Sequence, residues 1–354
     1  MRDYTVFFGT YNQQGPTPRE EGIYVYQFDA GRGQFSSIGV VSAAPNPSFL
    51  TLSPDGHCLY CTHELVEYKG QPGGGLSAFS LDSDLPRLLN SQPTHGVHPC
   101  YIAVNDHSVF TANYTSGSLT VYPRHADGRL GEPAQVIKHE GHSIHVQRQE
   151  SAHVHSTLID LSGKYLIVAD LGIDKLVVYR MENGPLVWHS DVSLSPGSGP
   201  RHTVFHPNGR WLYCSNELAS TVTAFQYDSA QGTLREFQTI AGLPQDFAAE
   251  STAAHIAITP NGHFLYMSNR GHDSLAMFAV DGQTGRLTAT GFTTTLGKTP
   301  RNFAIDPAGE WLVAANQDSD SVVLFRIHQE TGALTPTGLP LNVPTPVFVL
   351  FALR

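Results

Sequence analysis

The 354-residue chain carries 31 acidic against 21 basic residues, a formal charge of −10, which excludes the basic stripe of a nucleic-acid-binding surface. Four irregularly spaced cysteines exclude a disulfide framework, and no apolar run approaches the ~18 residues of a membrane-spanning helix. The 33 glycines and 23 prolines suit a fold made of many tight turns.

Residues 4–10 alternate around Val6 and Phe8 and read as a strand, with no signal-peptide pattern before it. Cytoplasm is the expected compartment, without membrane or nucleic-acid partners. Residues 22–28 alternate again, and the two segments look like the second and third strands of a unit whose first is missing. The first full unit runs from Pro47 through the turn glycine Gly56 and a strand to Tyr60; it reaches Phe79 after a longer insertion that includes the loop 69–75. Cys58 and Cys61 should face opposite sides of that strand as buried thiols. Pro99 to Asn113 and Tyr122 form a shorter, worn copy. Residues 139–155 are a polar insertion holding His139, His142, His145, His153 and His155. Further units follow around Gly163, Gly209, Gly262 and Gly309, ending at Tyr179, Phe225, Phe278 and Phe325, with residues 245–251 as another long loop. Turns around Gly128, Gly232, Gly285 and Gly332 should lead into fourth strands. Residues 346–354 form one last strand with nothing after it.

A repeat of ~45–55 residues is the spacing of a propeller blade, and the 3.6-residue apolar periodicity of a helical solenoid is lacking. Six units and one split between the chain ends make seven. The expected fold is all-β: one domain over residues 1–354, a seven-bladed β-propeller. Its last blade is closed by pairing the C-terminal strand with the N-terminal strands, which leaves no free edge.

First strands line the channel of a propeller, so equivalent positions must form rings. Eight residues before the turn glycine stand Ser48, His155, Arg201, Ala254 and Arg301; one later come Phe49, Ser156, His202, His255 and Asn302. Second strands end at Asn113, Asp170, Asn216-Glu217, Asn269-Arg270 and Asn316-Gln317. One channel mouth should therefore gather His155, Arg201, Glu217, Arg270 and Arg301. Guanidinium groups offer forked donors to phosphate or carboxylate, and Glu217 and His155 could transfer protons. The alternative is an inter-blade ion-pair ring without substrate. The asparagines are expected to satisfy backbone turns. His153 and His155, with His139, His142 and His145 nearby, offer a competing metal-site reading, but no second carboxylate follows at ligand spacing.

Several stretches together resemble the propeller-type 6-phosphogluconolactonases, the lactonase family that also includes fungal carboxymuconate lactonizing enzymes. They are Arg148-Gln-Glu-Ser-Ala-His-Val-His155, Val168-Ala-Asp-Leu-Gly-Ile-Asp174, Gly199-Pro-Arg-His202 with Phe205-His-Pro-Asn-Gly209, Asn216-Glu-Leu218 with Ser220-Thr-Val222, Ser268-Asn-Arg-Gly271 and Thr299-Pro-Arg-Asn-Phe303. The resemblance covers nearly the whole chain. It implies a seven-bladed propeller with His155, Arg201, Glu217 and Arg270 in the catalytic mouth. Arg301 and Gln317 sit at positions similar to family ones, and His153 and His202 complete the expected substrate-binding set. The implied reaction is hydrolysis of a small anionic sugar lactone, 6-phosphogluconolactone, as in the pentose phosphate pathway, with no cofactor and no metal. Glu217 would be general base, His155 proton shuttle or alternate base, Arg201 and Arg270 oxyanion donors, and Arg301 the phosphate anchor. One departure is His255, where many relatives carry an acidic residue. A lactonizing isomerase for a muconate-type dicarboxylate and a non-catalytic scaffold remain the other readings.

Overall fold

Strands form where β-branched and aromatic residues alternate with small polar ones, and in the computed structural model, which describes residues 3–13, 18–42, 44–181 and 184–353, they gather into seven four-stranded antiparallel sheets. In one of them Pro200–Phe205, Trp211–Asn216, Thr221–Asp228 and Thr233–Ala241 lie side by side in chain order. Its first turn closes at Gly209, whose φ of +72° suits glycine and strains other residues. Counting blades along the chain, this is blade 4. Blades 1, 2 and 3 begin at Leu50–Leu52, Pro99–Val104 and Val154–Ile159, and blades 5 and 6 at Thr252–Ile258 and Pro300–Ile305.

Blade 7 is composite. Pro346–Leu353 is its first strand and pairs antiparallel with Asp3–Thr10, which leads outward to Ile23–Asp29 and Gln34–Val41. The first strands of successive blades pack on one another all the way round, blade 7 on blade 1 included. The seven-bladed, closed ring expected from the repeat is thus the fold observed.

The core is a ring of apolar clusters, most of them between two neighbouring sheets. Tyr4, Phe8 and Phe28 of blade 7 pack on Trp311 and Val313 of blade 6, and Leu212 and Cys214 of blade 4 on Ile167 and Leu176 of blade 3. Polar bolts reinforce these seams. Tyr60, Tyr213 and Tyr266 each donate their hydroxyl to a carbonyl in the outer turn of the next blade, at Gly128, Gly285 and Gly332, over 2.8–2.9 Å. Each buried hydroxyl thereby keeps a partner.

The turn at Gly128 leads into its fourth strand with a delay: Leu130 makes a single bridge with Arg124, and the strand Gln135–Lys138 starts only after Pro133, which has no N–H to donate. One expectation needs correction. The asparagines that end the second strands do not serve their own turns' backbone. Asn113 and Asn216 donate to the hydroxyls of Ser118 and Thr120 and of Thr221 and Thr223, while Asn269 and Asn316 reach the carbonyls of Gly242 and Thr295. They tie the second strand to its neighbours. No helix among the described residues is long and apolar enough to cross a membrane.

Candidate active site

Two devices, repeated from blade to blade, aim side chains into one mouth of the channel. The first is a β-bulge at the entry of the first strand. Pro200 opposes Asn216 and His202 opposes Ser215, which leaves Arg201 as the extra residue. The same slip singles out Cys100, His155, Arg301 and Val347 in blades 2, 3, 6 and 7. A bulge breaks the strict alternation of the strand and re-aims the extra side chain. The second device sits across from it. The residue just past the second strand donates its N–H to the carbonyl two residues before the bulge, or before the equivalent Ser48 in blade 1: Glu217 to Gly199, Glu64 to Asn46, Tyr114 to His98, Gln317 to Thr299 and Tyr11 to Thr345, over 2.6–3.1 Å. The accepting residues all have positive φ, between 41° and 64°, and only one of them is glycine. Backbone strain of this kind clusters at functional sites.

The result is a cavity of about 470 Å³ at the channel mouth. Its charged lining is Glu64, Arg148, Glu217, Arg270 and Arg301, with His155 behind Glu217. Glu217 is 2 % exposed and holds three guanidinium groups. Arg148 reaches its Oε1 at 2.5 Å, while Arg201 and Arg270 reach Oε2 at 2.8 and 3.0 Å. His155 Nε2 lies 3.8 Å from the same Oε2. Burial alone would favour the neutral acid, but Arg270, Arg201 and Arg148 overcome it and hold the carboxyl well below its usual range. Burial, then Arg270, pulls Arg201 down to about 9, so it stays charged at neutral pH.

The opposite wall is built on Glu64. Tyr11 donates its hydroxyl to Glu64 Oε1 at 2.8 Å, and Arg301 Nη2 stands 3.8 Å from that oxygen, its guanidinium over the Tyr11 ring. Glu64 Oε2 is buried and has no hydrogen-bond partner. Burial raises Tyr11 well above the ordinary phenol range, so it stays a donor.

Beneath the mouth the histidines are neutral. Burial, then Arg201, pushes His155 well below its ordinary value, and the same pair of causes brings His255 to about 3. Arg201 Nη1 lies 3.1 Å from His202 Nε2, and His202 Nδ1 lies 2.9 Å from His255 Nδ1. Arginine can only donate, so His202 Nε2 accepts and its Nδ1–H donates to His255. The departure at position 255 thus puts a neutral acceptor beneath Arg201.

Of the residues expected from sequence, the structure brings His155, Arg201, Glu217, Arg270, Arg301 and Gln317 to one mouth. His202 lies one layer deeper. His153 does not face the cavity: it is stacked on Tyr114 with ring centres 4.6 Å apart and paired with Glu150. The histidines of the metal reading are dispersed. His139 is held between Asp170 and Tyr179, and among the described residues no three His, Cys, Asp or Glu side chains converge as a ligand group. Sequence reasoning missed Glu64, Arg148 and Tyr11. Glu64 was within reach, for it stands eight residues after Gly56 as Glu217 stands eight after Gly209.

The family model for the lactonase, 7-bladed beta-propeller, matches residues 5–351. The chain belongs to this seven-bladed propeller lactonase family. It is 36% identical over 307 residues to a 6-phosphogluconolactonase of Bacillus subtilis, covering 86% of this chain and 85% of that one. A 6-phosphogluconolactonase of Formosa agariphila is 34% identical over 315 residues, covering 84% and 85%. Among solved lactonase-like structures, a periplasmic gluconolactonase of Pseudomonas aeruginosa superposes with a TM-score of 0.91 at 33% identity, covering 99% of both chains.

Proposed function

We propose that the protein hydrolyses a phosphorylated sugar lactone, 6-phosphogluconolactone, to the open-chain acid. The observation that carries this reading is the charge of the cavity. Arg148, Arg270 and Arg301 line it and Arg201 lies behind Glu217, so four guanidinium groups stand against two carboxylates, Glu64 and Glu217, while the buried histidines stay neutral. Four minus two leaves a surplus of two positive charges, in a chain whose formal charge is −10. A phosphate monoester carries about −1.5 to −2 at neutral pH. The relatives named 6-phosphogluconolactonase support the same substrate class.

The chemistry divides between the walls. Arg201 and Arg270, ordered by Glu217, supply fixed donors for the oxyanion formed when water adds to the lactone carbonyl. Fixed donors in a water-poor site need no reorganisation as charge develops, so they favour the transition state over the substrate. Arg301, on the opposite wall, anchors the phosphate. Glu217 was the expected general base, but with both its oxygens engaged by arginines it serves better to hold those arginines in place.

A second reading, an unphosphorylated aldonolactone, is favoured by the similarity to the periplasmic gluconolactonase. The test is turnover of 6-phosphogluconolactone beside gluconolactone, with spontaneous hydrolysis subtracted. The phosphorylated substrate should give at least tenfold higher kcat/KM, and Arg301→Ala should raise its KM while leaving that for gluconolactone nearly unchanged. Equal turnover of both lactones, with no effect of Arg301→Ala, would replace the first reading by the second and with it the pathway and the cytoplasmic setting. Turnover of a muconate-type dicarboxylate alone would point instead to the lactonizing isomerase.

A further inference from the structure

We propose that Glu64, with Tyr11 positioning it, is the base that takes a proton from the attacking water. This rests on the lactonase reading and adds to it a catalytic residue that the bulge ring does not supply. A general base needs a lone pair open to the water it deprotonates. The cavity offers two carboxylates, and only Glu64 has an oxygen that no protein donor occupies. Both oxygens of Glu217 accept hydrogen bonds from guanidinium groups, and those three cations oppose its protonation. Glu64 uses one oxygen for Tyr11 and leaves Oε2 buried without a donor. A buried carboxylate oxygen without a partner is costly, and a water is the partner that the site can accept.

A space the size of one water is lined by the same residue. Against the main cavity lies a second of about 10 Å³, sharing Glu64, Cys100, His155 and Arg301 with it and walled also by Arg201 and His202. That volume matches one water, and the walls supply the two to four polar partners that a buried water makes. His155 is the other candidate base at this spot, but burial and Arg201 leave it little affinity for a proton. The Cys100 thiol, which also faces the spot, is pushed up by burial and stays protonated.

The step balances without a co-reactant. The water oxygen bonds to the lactone carbonyl carbon as Glu64 Oε2 takes one of its protons, and the carbonyl electron pair moves to oxygen, facing Arg201 and Arg270. The oxyanion then collapses, the bond to the ring oxygen breaks, and that oxygen receives the proton back from Glu64. The new carboxylic acid ionises to solvent, so one water is consumed and the enzyme is restored.

The test compares Glu64→Gln, Glu64→Ala and Tyr11→Phe with the unaltered protein on 6-phosphogluconolactone. Glu64→Gln should lower kcat by ~10²–10⁴, with affinity for 6-phosphogluconate changed less than threefold by calorimetry. Added formate should restore part of the activity of Glu64→Ala, an outcome that a structural role would not give. Tyr11→Phe removes the donor that holds the carboxylate in place and should lower kcat by about tenfold with KM nearly unchanged. Glu64→Gln with kcat within threefold of the unaltered protein overturns the proposal and leaves the lactonase reading standing. An unaltered protein that hydrolyses no lactone takes both down. Should Glu64→Gln fail to fold, an unchanged kcat in Tyr11→Phe together with no formate rescue of Glu64→Ala overturns the proposal alone.

Discussion

Glu217 and Glu64 occupy the same repeat position, each just past the second strand of its blade and each tied by its N–H to a carbonyl ahead of a first strand. Their surroundings make them opposites. Glu217 is saturated by Arg148, Arg201 and Arg270. Glu64 has a neutral phenol at 2.8 Å, one guanidinium at 3.8 Å and an oxygen to spare. A carboxylate with three cationic partners is held rigidly as an anion, whereas one with an oxygen free of protein donors is the base proposed above. Repeat symmetry places both groups; only the neighbours decide which is which.

The most disruptive way to break the comparison is to remove residues 346–354. That deletion takes away the first strand of blade 7, its pairing with Asp3–Thr10, and Val347 and Phe348 from the wall of the small cavity. It also removes the strand that follows Thr345, the residue tying Tyr11 to the ring. An exposed strand edge invites pairing between chains, so the truncated protein should aggregate in size-exclusion chromatography. A monodisperse truncated protein with native circular dichroism would refute the closure.

Next in size is Glu217→Gln, which leaves three buried or half-buried guanidinium groups facing one another. Breaking a buried charge pair typically costs ~3–5 kcal/mol, read here as a lower urea midpoint, and both kcat and KM should suffer because the arginines lose their organiser. Glu64→Gln removes no comparable pair and should cost under ~1 kcal/mol. If the two variants were equally stable, the distinction between the walls would be wrong.

Acid gives a third separation. His155, His202 and His255 have folded pKa values well below the ordinary ~6.5 of histidine. Above ~6.5 both states leave them neutral and stability is flat. Below it the unfolded chain binds protons that the folded one refuses, so stability falls with pH, by ~1.4 kcal/mol per pH unit for each such proton. Replacing His255 by Asn should flatten that slope by one proton between about pH 6 and 4. An unchanged slope would mean that His255 is already protonated in the fold.

Much of this arrangement was legible in the sequence, because symmetry fixes what repeats. Aligning turn glycines put His155, Arg201 and Arg301 on one ring and Glu217, Arg270 and Gln317 on another. The bulges that aim the first ring explain why strict alternation was no guide to its direction. Three residues escaped, for three reasons. Glu64 precedes a long insertion, so the second strand of blade 1 was read only as far as Tyr60. Tyr11 lies in blade 7, where the chain ends fall between first and second strand and leave no turn glycine to count from. His153 is a misplacement rather than an escape: it was read as facing the site, but its ring lies in the blade seam against Tyr114.

Arg148 is the third escape and carries the smallest prediction. It belongs to the insertion between blades 2 and 3, which has no counterpart in other blades and so no register. Its guanidinium is the only one of the three on Glu217 with substantial exposure, 36% of the side chain, and it also donates to the Tyr114 hydroxyl oxygen at 3.0 Å. A pair open to water contributes ~0–1 kcal/mol to stability, so Arg148→Ala should leave the urea midpoint nearly unchanged. Arg201 and Arg270 still hold Glu217 in this variant, so the oxyanion donors keep their geometry and kcat should change less than threefold. What is lost is one positive charge at the rim, which attracts the anionic substrate in ground and transition state alike; such a loss raises KM with kcat preserved. A rise of about three- to tenfold in KM, shrinking in high salt as screening weakens rim electrostatics, is the expected result. A collapse of kcat instead would show that Arg148 reaches the reacting atoms, and that the Glu217 wall is completed by the insertion rather than by the propeller.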